Sequence, residues 1–138
     1  METRMLVEQF AVQKVIESEI DLGRASEDAI VRQEQFAAND DLRGFVDADY
    51  EFHRVFVAAG ANAILLQLYD SMRDREHRMG LAALLRDGGR ASQALEEHRM
   101  IAQAVAARDA RAARSIVATH LGATLSLLRD HSSPPGEL

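Results

Sequence analysis

Residues 45–57 read Phe-Val-Asp-Ala-Asp-Tyr-Glu-Phe-His-Arg-Val-Phe-Val, and the spacing within them decides the fold class. Phe45, Val46, Asp49, Phe52, His53, Phe56 and Val57 recur at intervals of three and four, which is the period of one helix face and not the alternation of a strand. Asp49 and His53, four residues apart, project to the same spot on that face. A carboxylate and an imidazole held together in this way on an apolar face suit a metal ion, so the remaining chain is read for further inward ligands.

Outward from this stretch the helical period continues. The only prolines are Pro134 and Pro135, so nothing earlier is obliged to break a helix. Six helices are expected at about 2–20, 27–38, 41–59, 63–85, 92–107 and 109–129, with Ser26, Asn62 and Asp109 as N-caps and Gly60 as a C-terminal stop. The first presents Met5, Leu6, Phe10, Val12, Val15, Ile16 and Ile20 as its apolar stripe. Short connections between helices imply an all-α, antiparallel bundle of about six to seven helices whose facing members project side chains into a central metal or ligand cavity. One domain over residues 1–131 is expected, followed by a disordered tail at 132–138.

Composition limits the chemistry. A chain of 138 residues with 47% hydrophobic and 28% charged residues is long enough to bury a substantial core. It has no cysteine, so any metal must be held by nitrogen and oxygen. A formal charge of −6 argues against nucleic-acid binding through a basic surface of this chain. There is no apolar run long enough to span a membrane and no signal-peptide core, so a soluble cytoplasmic protein is expected.

Three of the five histidines, His53, His98 and His120, fall on expected apolar faces of three different helices. Burying three imidazoles and a carboxylate in an apolar bundle costs several kcal/mol unless they satisfy one another or share an ion. The proposed ligand set is Asp49, His53, His98 and His120; three nitrogens and one oxygen suit Zn, Ni, Mn, Fe or Co as a divalent ion. Arg75 sits between Met72 and Met79 on the fourth apolar stripe, where an inward guanidinium could clamp a carboxylate. The charged run around it reads equally as a solvated face. His77 and His131 have polar neighbours and read as surface residues. Nucleophile-elbow and P-loop patterns are absent.

The residues together resemble a known family. FVDADYEFHRVFVAAGAN at 45–62, EHRMIAQAVAARD at 97–109, and His120-Leu121 are similar to the effector-binding FCD domain of FadR-type GntR transcription regulators, and the opening Arg4-x3-Glu8 pattern extends the likeness across nearly the whole chain. The resemblance implies a helical bundle with a divalent metal on Asp49, His53, His98 and His120, a small carboxylate effector such as an organic or sugar acid on the open side of the metal, and Arg75 and Arg4 as carboxylate contacts. It also implies a homodimer and no enzymatic activity. In that family a winged helix-turn-helix precedes the domain; none is expected here, so DNA binding would depend on a domain absent from this chain. Two other readings remain beside the sensor: a metalloenzyme using a metal-activated water, and a structural dimerisation bundle whose histidines only pair with neighbours.

Overall fold

The computed structural model describes residues 1–130, so the tail expected at 132–138 and His131 lie outside the described residues. Seven helices follow one another: α1 (Glu2–Glu17), α2 (Gly23–Ala38), α3 (Leu42–Gly60), α4 (Ala63–Ser71), α5 (Arg73–Arg86), α6 (Arg90–Ala106) and α7 (Ala110–Arg129). Among the described residues there is no strand. The bundle is organised around α3, which packs against α1, α2, α4 and α5, while α7 closes the other side against α1, α5 and α6. Phe45, Phe52 and Phe56 of α3 meet Val12 and Val15 of α1, Ile30 of α2, Ile101 of α6 and Leu121 of α7 in one core.

Local chemistry explains most boundaries. Asp41 accepts from the Gly44 N–H at 2.9 Å to start α3, Asn62 from Leu65 at 2.9 Å to start α4, and Asp109 from Ala112 at 3.0 Å to start α7. Each satisfies a backbone donor that a helix start leaves unpaired. Ser26 departs from expectation: α2 begins at Gly23, whose N–H donates to Asp21 at 2.9 Å, and Ser26 lies inside the first turn, donating to the Gly23 carbonyl at 3.1 Å. Two glycines set the spacing of α3. A Cβ at Gly60 would stand 2.3 Å from the Ala11 carbonyl oxygen, and one at Gly44 would stand 2.3 Å from the Phe36 ring, so α1 and α2 approach α3 more closely than any other residue would allow.

Two corrections concern helix direction and register. The long helix expected at 63–85 is two helices, broken at Met72, whose N–H turns back to the Tyr69 carbonyl at 3.1 Å. Tertiary contacts hold α4 in its own direction: Tyr69 stacks on Tyr50 with ring centroids 5.4 Å apart, and Asp70 takes Arg54 in a two-pronged pair at 2.9 and 3.0 Å. In α1, Leu6 and Phe10 are exposed and the inward face is Arg4, Val7, Glu8, Ala11, Val12 and Val15. The register of α1 follows a buried polar network instead of its largest apolar side chains.

Candidate metal centre

α3 delivers Asp49 and His53, α6 delivers His98 and α7 delivers His120 to one point, where one ligand atom from each lies within 4.8 Å of the others. The three Nε2 atoms converge: His53 to His98 is 3.1 Å, His53 to His120 is 3.0 Å and His98 to His120 is 3.3 Å. Asp49 Oδ1 completes the group, 3.0 Å from His98 Nε2, 3.5 Å from His53 Nε2 and 4.0 Å from His120 Nε2. Imidazoles bound to a divalent ion at roughly 2.0–2.1 Å bring their nitrogens to about this mutual separation. The histidines are buried, whereas the Asp49 side chain keeps 21% of its surface accessible, so the site is closed on three sides and open at the carboxylate.

Each imidazole is held from behind by its other nitrogen. His53 Nδ1 is 2.8 Å from Glu8 of α1, His98 Nδ1 is 2.7 Å from Gln33 Oε1 of α2, and His120 Nδ1 is 3.2 Å from Glu97 of α6. Acceptors at Nδ1 favour the ring proton there and turn each Nε2 lone pair inward, the arrangement that orients a metal-binding histidine; at His120 the Glu97 carboxylate lies nearer Nδ1 than the Arg90 Nη2 donor, 3.2 Å against 3.3 Å. Phe52 fixes the plane of His98 further, stacking on it with centroids 4.2 Å apart. Three lone pairs and a carboxylate oxygen then face one another. Such a set of acceptors repels unless a cation or proton lies among them, and the donor set fits a divalent ion.

Electrostatics point the same way. Burial pushes the His98 imidazole down to about 3 and also lowers His120, so both are neutral and ready to ligate. Burial, the largest single influence, acts downward on His53 too, but the Glu8 and Asp49 carboxylates together outweigh it and His53 rises to about 9. Burial would raise Asp49, yet hydrogen bonds from His53 and His98 hold it well below the usual carboxylate range. Without metal, the proton on His53 supplies the positive charge that the cluster requires.

Arg4 and Arg90 frame the open side, lining a cavity of about 30 Å³ with Asp49, His120 and Thr124. Arg4 is buried, with Nε 2.6 Å from Glu8 and Nη1 3.1 Å from Glu76. Its Nη2 has no hydrogen-bond partner and lies 4.0 Å from Asp49 Oδ2. Arg90 reaches Glu97 at 2.6 Å, the His120 carbonyl at 3.2 Å and Thr124 at 3.4 Å. Arg75 is not at the cluster: it is exposed, because the break at Met72 re-aims α5 and puts Glu76 inward in its place. Arg90, Gln33 and the anchoring role of Glu8 are not evident from sequence; inward spacing opposite each histidine was the available signal for Gln33 and Glu8, while Arg90 lies in the first turn of α6, ahead of the start expected at about 92. A larger cavity, about 280 Å³, opens between the α1–α2 turn and the end of α6, but no convergent ligand group lines it.

The FCD domain family matches residues 1–123, and the chain belongs to it. FCD domains are the effector-binding parts of GntR-type transcription regulators, so the chain is a ligand-binding regulatory domain and not an enzyme. Among solved structures, a chain of Lar, described as controlling the expression of the Listeria monocytogenes agr system and mediating virulence, is similar in fold with a TM-score of 0.81 at 15% identity. The likeness covers 94% of this chain and 61% of that one, so this chain spans about three fifths of Lar's length. Comparison with curated proteins gave no match. No helix among the described residues is long and apolar enough to cross a membrane.

Proposed function

We propose that this chain is a metal-dependent sensor in which Asp49, His53, His98 and His120 hold a divalent ion and a small carboxylate binds on the open side, against Arg4. The observation that carries this reading is the convergence of three Nε2 atoms and Asp49 Oδ1 with every Nδ1 anchored behind them. Bound there, the ion would act as an electrophile that holds a carboxylate oxygen. Zn, Ni, Co, Fe and Mn all suit the three-nitrogen, one-oxygen set.

The remaining work falls to the protein. Arg4 Nη2 offers a charged donor beside Asp49, and charge-assisted bonds of this kind are about twice as strong as neutral ones. The cavity wall is built from α1, α3, α5, α6 and α7, so an occupant that prefers one spacing of these helices shifts the population toward it. In a homodimeric, cytoplasmic regulator that shift would be passed to a DNA-binding domain elsewhere in the protein, since the acidic surface of this chain is unsuited to DNA.

The test is thermal stability with metal and with organic acids, together and separately. An acid at a hundredfold excess over its dissociation constant should stabilise the metal-loaded domain by about 2.7 kcal/mol and leave the chelator-treated domain unchanged. Equal stabilisation with and without metal would contradict the reading.

A further inference from the structure

Counting the polar groups that the cavity leaves uncommitted narrows the ligand class. This step rests on the sensor reading above. Arg90 is committed through Nη1 to Glu97 and through Nη2 to the His120 carbonyl and Thr124. Arg4 has Nε and Nη1 engaged by Glu8 and Glu76, and only its Nη2 is buried without a hydrogen-bond partner. Among the described residues Arg4 Nη2 is thus the buried guanidinium nitrogen of the cavity that lacks a partner, a place for one carboxylate oxygen beside the ion.

Charge ranks the ligands in the same order. Glu8, Asp49, Glu76 and Glu97 surround the site against Arg4 and Arg90. With neutral imidazoles a divalent ion balances this set. Each entering carboxylate then adds one uncompensated negative charge, so a dicarboxylate leaves twice the excess of a monocarboxylate in a largely buried site, where unpaired charge is costly.

Beyond these groups and the Thr124 hydroxyl, which already accepts from Arg90, the wall is formed by Phe45, Val46, Ala83, Leu84 and Ala94. A hydroxyl on a ligand tail turned toward Phe45, Val46 and Leu84 would lose its water without gaining a partner, which costs on the order of tenfold in affinity. The space is also small. About 30 Å³ is room for roughly two water-sized groups, so even a short acid must push the wall outward and each added group pushes it further; the wall is already tight at Gly80, where a Cβ would stand 3.3 Å from Val46.

We propose that the site selects a short monocarboxylate whose tail is apolar, and discriminates against dicarboxylates and polyhydroxylated sugar acids.

Three matched acids test this on the metal-loaded domain: propionate, 3-hydroxypropionate, which adds one tail hydroxyl, and succinate, which adds a second carboxylate. Calorimetric titration should give propionate a dissociation constant about tenfold or more below both others. Arg4→Met should weaken propionate at least tenfold while one equivalent of metal is retained; if that variant does not fold, the wild-type series still decides. Equal or tighter binding of either polar analogue overturns the monocarboxylate proposal and leaves the sensor reading standing. Metal loading with no binding of any of the three acids overturns both.

Discussion

Gln33 Oε1 lies 2.7 Å from His98 Nδ1, and this contact ties α2 to a cluster whose ligands all come from other helices. His53 and His120 are backed by carboxylates, so His98 alone has a neutral acceptor behind it. Gln33→Leu should keep the volume filled but release the His98 ring, lowering metal affinity by about ten- to a hundredfold. Competition against a coloured chelator measures this; an unchanged affinity would show that packing against Phe52 alone orients His98.

The His53–Glu8 pair predicts how metal binding responds to pH. His53 sits at about 9 in the metal-free domain, so up to that pH the ion must displace a proton. Metal affinity should rise about tenfold per pH unit from neutrality and level off near pH 9. The same shift stabilises the metal-free fold below pH 6.5, and that stability is lost as pH rises through 9; a displacement from 6.5 to about 9 corresponds to about 3 kcal/mol. A pH-independent metal affinity between pH 6.5 and 8.5 would contradict the charged His53.

Gly60 makes a stability prediction independent of the metal. Its Cβ would meet the Ala11 carbonyl at 2.3 Å, a backbone atom that cannot rotate away, so Gly60→Ala must force α1 and α3 apart. A loss of about 2 kcal/mol or more in denaturant unfolding is expected. A neutral or stabilising effect, as at an ordinary helical glycine, would show that the two helices are not held at this spacing.

Arg75→Ala should leave metal and carboxylate affinity unchanged, because the side chain is exposed and α5 presents Glu76 inward. A tenfold loss of carboxylate affinity by calorimetry would instead favour the inward arginine that apolar spacing suggests.

That contrast shows what spacing can and cannot convey. The period around Asp49 and His53, and the inward placement of His98 and His120, were legible because each helix carries an uninterrupted apolar stripe that fixes its register. Asp41, Asn62 and Asp109 mark helix starts through chemistry contained within four residues. The break at Met72 was not legible, since no glycine or proline signals it: it arises from Tyr69 and Asp70 docking on Tyr50 and Arg54, residues distant in sequence. Arg75 was misplaced for that reason. In α1, Leu6 and Phe10 outweigh Arg4 and Glu8 on any apolar scale, yet the inward face is set by bonds from Arg4 and Glu8 to Glu76, Tyr69 and His53, partners known only once the chain is folded.

The central claim is the four-ligand metal site, and metal stoichiometry tests it most directly. The domain would be loaded with Ni²⁺ or Zn²⁺, dialysed and assayed by elemental analysis beside Asp49→Ala and His98→Ala. The account predicts one equivalent in the wild type and a large loss in both variants, with the Asp49 variant still folded because that side chain is partly exposed. Equal metal content in all three proteins, or none in the wild type after loading, would contradict it.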